Sequence, residues 1–143
     1  MTTMVAVPGI YVIEVQHGVV KVGLSGDTER RISTHLRNAR GLGADPYRWL
    51  VIDCPNHLLR EAERAAHAAV RGIGGTPQAR TPEVFTDVYF NPAWEAARGA
   101  VAVVVETDAA LARLRALDVS RFEQLMVTLP GDVALVVASV VQP

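Results

Sequence analysis

The chain has 143 residues, with 14 Lys and Arg against 15 Asp and Glu and a formal net charge of −1. Half of it is apolar, enough for the core of one domain of common size, which excludes general disorder. Its single cysteine, Cys54, excludes an internal disulfide framework and a cysteine zinc cluster. No apolar run approaches the roughly 20 residues that cross a bilayer. The opening residues, Met1-Thr2-Thr3-Met4, lack the basic segment and apolar stretch of a secretory signal. These features predict a soluble, cytoplasmic protein with no membrane partner. Residues 1–72 hold nine basic and seven acidic side chains, a net +2, and residues 73–143 hold five and eight, a net −3. A surface for a polyanion would therefore be local.

In chain order, Ile10-Tyr11-Val12-Ile13-Glu14-Val15 follows Pro8-Gly9 as a β-branched and aromatic strand. Gln16-His17-Gly18 turns the chain into Val19-Val20-Lys21-Val22-Gly23-Leu24, completing an antiparallel hairpin. An in-phase register puts Tyr11 and Lys21 on one side of the sheet. Asp27 is placed to cap a helix running to about Ala39, with Ile32, Leu36 and Ala39 as its apolar stripe and Arg31 and His35 stacked on one flank. Residues 47–53 read as a third strand. Asn56 is placed to cap a helix to about Arg71, whose apolar face of Leu59, Ala62, Ala66, Ala69, Val70 and Ile73 includes Glu63. A turn-rich loop from Gly72 to Pro82 precedes short extended pieces at residues 83–85 and 88–90 and a small helix near Trp94. The tail offers an apolar run at Val101–Val105, an amphipathic helix from Asp108 to Leu117 and a second apolar run at Ala134–Val141. It reads as a β-α-β-like extension beginning near residue 99.

Glu63 is the first residue with chemistry to consider. A carboxylate among Leu, Ala and Val costs free energy unless it is paired or bound to a cation. Spacing alone does not choose between a boundary glutamate that snorkels to water and a metal ligand or general base. Arg31 and His35 are either a solvated flank or an electropositive pair able to grip phosphate and move protons. The sequence holds no Walker loop, dinucleotide fingerprint or nucleophile elbow.

In order along the chain, Gly9-Ile10-Tyr11, then Lys21-Val22-Gly23 ten positions later, then Arg31, His35 and Glu63 resemble the GIY-YIG nuclease superfamily. The likeness is to its phage-type branch, which has a lysine in the second motif. Glu63 with His67, and then Glu83-Val84-Phe85, are similar to further features of that branch, and Asn91 is the candidate for a late asparagine. The resemblance covers residues 8–94.

It implies an α/β domain over residues 8–98, a three-stranded antiparallel sheet flanked by helices, followed by the extension at 99–143. It also implies a metal-dependent DNA endonuclease. Tyr11 would be general base or orient the attacking water, and Glu63 would hold one divalent cation, expected to be magnesium. Arg31 would clamp a phosphate oxygen, and Lys21 or His35 would assist proton transfer or the leaving group. Two other classes stay open: a domain of the same fold that binds nucleic acid or protein without cutting, and a scaffold recruited to small-molecule chemistry. The apolar runs of the tail need cover, which a homodimer built partly from the tail would provide.

Overall fold

The computed structural model describes residues 5–43, 48–117 and 119–141. The chain divides into two compact units, Met1–Val101 and Ala102–Pro143. In the first unit, strands β1 (Gly9–Gln16) and β2 (Val19–Ser25) form the expected hairpin. Gly18 closes it at φ +80°, a conformation that a side chain would strain. Helix α1 (Thr28–Gly41) follows, then strand β3 (Arg48–Asp53); Tyr47 lies outside the described residues. A short 3-10 turn at Asn56–Leu58 leads into helix α2 (Leu59–Gly72). Strands β4 (Thr76–Pro77) and β5 (Val84–Thr86) precede a long helix α3 (Phe90–Arg115).

The sheet has five strands, in the order β3-β1-β2-β5-β4, with antiparallel pairing between every pair of neighbours. The expected three strands are its β3-β1-β2 part. The addition arises because the loop after α2 returns alongside β2, where Val84 pairs with Lys21 and Val20 with Phe85. In the hairpin, Tyr11 pairs with Gly23 and Ile13 with Lys21, so these four share one face. On that face Tyr11, Ile13 and Ile32 form a buried cluster closed by Leu36 and Val51, which seats α1 on the sheet. A register irregularity between Glu14 and Gln16 takes Val15 out of the alternation.

The other face carries Ile10, Val12, Val20, Val22 and Phe85, all buried. There α2 presents Leu59, Ala62, Ala66 and Val70, three and four residues apart, and His67 meets the edge of the Phe85 ring. Ile73 is half exposed and lies beyond the helix. Asp27 caps α1, its carboxylate accepting from the Arg30 N–H at 3.2 Å. Asn56 does not cap α2: the 3-10 turn intervenes, and Leu58, which makes no side-chain cap, stands at the helix start.

The tail is helical, which overturns the expected β-α-β extension. Residues 101–105 lie inside α3, and the small helix near Trp94 is the beginning of that same element. Residues 88–89 are irregular, and Phe90 opens the helix. The physical reason is period. Ala93, Ala97 and Val101 are buried at intervals of four, a helical stripe that outweighs the β preference of the valine run. The second unit contains the end of α3 with helices α4 (Val119–Thr128) and α5 (Gly131–Val141). In α5, Val133 and Val137 are buried while Leu135 is 74% exposed, the spacing of a helix and not of a strand. Val133 and Val137 cluster with Ala110, and Leu111, Leu114, Met126 and Leu129 pack around them. Among the described residues no helix is long and apolar enough to cross a membrane.

Gly23 governs the Tyr11 face. A Cβ at this position would collide with the Tyr11 hydroxyl and the ring carbons beside it. We expect Gly23→Ala to destabilise the fold by about 1–3 kcal/mol, the usual cost of overpacking a filled core. Urea unfolding of the variant beside the parent measures it; equal midpoints would show that Tyr11 does not lie on Gly23.

Candidate functional site

The candidate site lies where α1 crosses the β1-β2 hairpin. Tyr11, on the interior strand β1, is 1% exposed; the absence of a side chain at Gly23 leaves room for its ring. From α1, His35 approaches the phenol: its Nε2 is 3.2 Å from the Tyr11 hydroxyl, and the two rings tilt at 49° with centroids 5.3 Å apart. Arg31, one turn earlier on the same flank, is exposed and near enough to the phenol to oppose the rise of its pKa. Lys21 pairs with Glu83 at 3.8 Å, and both charges reach His35. Glu83 is held at the sheet because its carbonyl accepts from the Val22 N–H at 2.9 Å.

Glu63, on α2, is linked to this group by charge. Strand β5 begins at Val84, opposite Lys21, so the rest of β2 has no strand on its outer side. There the His67 Nε2–H donates to the Val22 carbonyl at 2.8 Å. Glu63 lies one turn before His67, on the same side of α2, and is half-buried. It acts on Tyr11 through charge.

Electrostatics set the protonation of the pair. Burial, the largest influence, raises the Tyr11 phenol above its ordinary value of 10.0. Arg31 opposes this, while the Glu83 and Glu63 carboxylates reinforce it. Tyr11 is therefore an O–H donor at neutral pH. Burial, and then the positive charges of Lys21 and Arg31, hold His35 down at about 4, from 6.5. Its ring is neutral at neutral pH, and in the tautomer protonated at Nδ1 the Nε2 lone pair accepts the Tyr11 O–H.

Tyr11, Arg31, His35, Lys21 and Glu83 are thus linked by contact or charge, and Glu63 by charge alone. Asn91 is elsewhere. Its Oδ1 accepts from Arg48 Nη1 at 3.2 Å, and Arg48 pairs with Glu14 at 3.3 Å and lies over the Phe90 ring. Glu14 is on the face opposite Tyr11. The sequence reading did not foresee this cluster, although alternation along β1 places Glu14 beside Val12 and Ile10, where a buried acid needs a partner.

Among the described residues no group of three or more His, Cys, Asp and Glu side chains is placed to hold a metal ion. His67 spends its Nε2 on the backbone. Glu63 fits a hard cation as a single oxygen ligand: it is half-buried and makes no ion pair among the described residues. Magnesium is commonly held by one or two carboxylates and keeps several of its waters.

Comparison of the chain with protein-family models, with curated proteins and with solved structures finds no match in any of the three.

Two measurements check the electrostatics. In an NMR titration the His35 imidazole is expected to protonate near pH 4, and Lys21→Met is expected to move that midpoint upward. Because the unfolded chain takes up this proton near 6.5 and the folded one near 4, His35 favours the fold fully above 6.5. Its contribution is lost as pH falls through that window. A His35 midpoint at or above 6.5 would refute the neutral ring.

Proposed function

We propose that the protein is a metal-dependent phosphodiesterase acting on DNA, of GIY-YIG type, with its reaction centred on Tyr11. The observation that carries this reading is the contact of the Tyr11 hydroxyl with His35 Nε2 at 3.2 Å, with Arg31 and the Glu63 carboxylate near enough to act on the phenol by charge. A buried tyrosine bonded to a neutral histidine, with an exposed arginine nearby, offers a proton path beside an anion grip.

A phosphodiester is held by the Arg31 guanidinium at a non-bridging oxygen, beside the Tyr11 hydroxyl. Water then attacks phosphorus; its proton passes to the Tyr11 oxygen as the Tyr11 proton moves to His35 Nε2. A new P–O bond forms, the P–O bond to the leaving oxygen breaks, and no free phenolate is required. Lys21, half-buried beside Glu83, stabilises the departing oxygen, which takes its proton from solvent to become the alcohol. The cation held by Glu63 would supply charge stabilisation at the phosphate.

The 1% exposure of Tyr11 favours a second reading, a domain that binds nucleic acid through Arg31 without cutting it. Incubating the purified protein with supercoiled plasmid in magnesium or manganese separates the two. The nuclease reading expects nicking that EDTA abolishes and that falls by about 10²–10⁴-fold in Tyr11→Phe, the usual weight of general acid–base catalysis. Glu63→Ala is expected to lose cleavage with unchanged circular dichroism, since removing a half-buried, unpaired carboxylate leaves no orphaned partner. Absence of nicking by the parent, or undiminished nicking by both variants, would overturn the nuclease reading.

A further inference from the structure

One strongly charged surface is left unused by the Tyr11 site: the other flank of α1. Arg30, Ser33, Arg37 and Arg40 are spaced three, four and three residues apart, which places them on one stripe of the helix. All four are exposed. The stripe lies beyond the seated residues Ile32 and Leu36 from the flank that carries Arg31 and His35. Acids are confined to the start of the helix, where Asp27 and Glu29 line a shallow cavity with Arg30 and Ser33. After Glu29, α1 contains no acidic residue. Arg37 and Arg40, with Ser33 and Leu36, line a separate open groove of about 290 Å³, and neither arginine makes an ion pair among the described residues.

This pattern differs from an ordinary solvated helix face. Exposed helices commonly carry acids and bases three or four apart, where each pair adds some stability. Here Arg37 and Arg40 have like charge and no acidic neighbour on the helix; the helix C-terminus favours Arg40, and both guanidinium groups stay available to an external anion. Arginine is also the cation suited to phosphate oxygens, which its planar fork can hold in pairs. With a net charge of −1 on the whole chain, attraction to a polyanion must come from such a local patch.

We infer that the Arg37–Arg40 end of α1 is a docking surface for the sugar-phosphate backbone of duplex DNA. It lies across α1 from Arg31, so the phosphates it holds are not the reacting one. Arg30 and Arg40 are ten residues apart, about 15 Å along a helix, a length that matches about four nucleotides of one strand. The contacts are to phosphate, so they hold register without reading sequence. This inference rests on the DNA reading of the Tyr11 site but not on cleavage there.

The test measures binding, in the absence of divalent cations so that no cutting occurs. Fluorescence anisotropy of a labelled duplex is followed over a range of monovalent salt for the full-length parent, for Arg37→Ala/Arg40→Ala, and for Arg113→Ala/Arg115→Ala, two exposed arginines near the end of α3. Removing two phosphate contacts is expected to reduce the slope of log affinity against log salt by about 2, equally for unrelated sequences. Arg113→Ala/Arg115→Ala, which removes the same charge elsewhere, is expected to leave the slope unchanged. Unchanged circular dichroism of Arg37→Ala/Arg40→Ala shows that the fold persists, and Arg37→Lys/Arg40→Lys is expected to restore most of the slope. The parental slope in Arg37→Ala/Arg40→Ala overturns the docking surface whether or not the parent cuts DNA. So does a parent that fails to bind duplex at low salt, or one that binds polyglutamate as tightly as duplex. A reduced slope in a protein that never nicks plasmid keeps the surface and removes only the nuclease reading.

Discussion

The structure depends on a missing side chain. Tyr11 lies on the interior strand β1 with its phenol over Gly23, and a single methyl group there would occupy the space of the hydroxyl. That vacancy fixes the height of the ring above the sheet. The height in turn lets Ile32 and Leu36 of α1 close over the same face and brings His35 within hydrogen-bonding distance. Gly9 has the same role at the start of the strand: a Cβ there would stand 2.5 Å from the Ile52 carbonyl oxygen. The two glycines that frame the motifs are therefore packing requirements first, whatever chemistry the tyrosine performs.

The first unit was largely legible from sequence because its signals are local. The Gly18 turn, the alternation around Tyr11 and the Asp27 cap each specify structure within a few residues, and the hairpin register follows from them. The sequence reading erred where a long-range or competing effect decided. The valines at 101–105 have strong strand preference, yet they are flanked by good helix formers and the burial period around them is four. In α5 the spacing of Val133 and Val137 was the available clue, hidden in a run where almost every residue is apolar. Asn56 is a good capping residue that the 3-10 turn displaces from the helix start.

At the site, the placement of Tyr11 with Lys21 was readable from strand alternation, and that of Arg31 with His35 from helical spacing. The relation of Glu63 to the phenol was not. It depends on β5 leaving part of β2 uncovered and on His67 bonding to Val22 across 45 residues of sequence. No periodicity encodes such a contact. The pairing of Glu14 with Arg48 beneath Phe90 and Asn91 is also a tertiary event, though an acid in an alternating apolar strand announces that a partner must exist.

The short β4 strand has a bearing on how the molecule behaves in company. A sheet that ends in a long, flat strand offers a row of amide groups to any passing chain. Here the outermost strand on that side is two residues long and one of them is Pro77, which has no N–H to give. Further along β2, the Val22 carbonyl is already taken by an imidazole. The β4 edge is therefore poorly suited to strand addition, and the opposite edge, β3 with its half-exposed Trp49 and Leu50, is the one left open to it. Any growth of the sheet by self-association would start at β3, one strand from Tyr11.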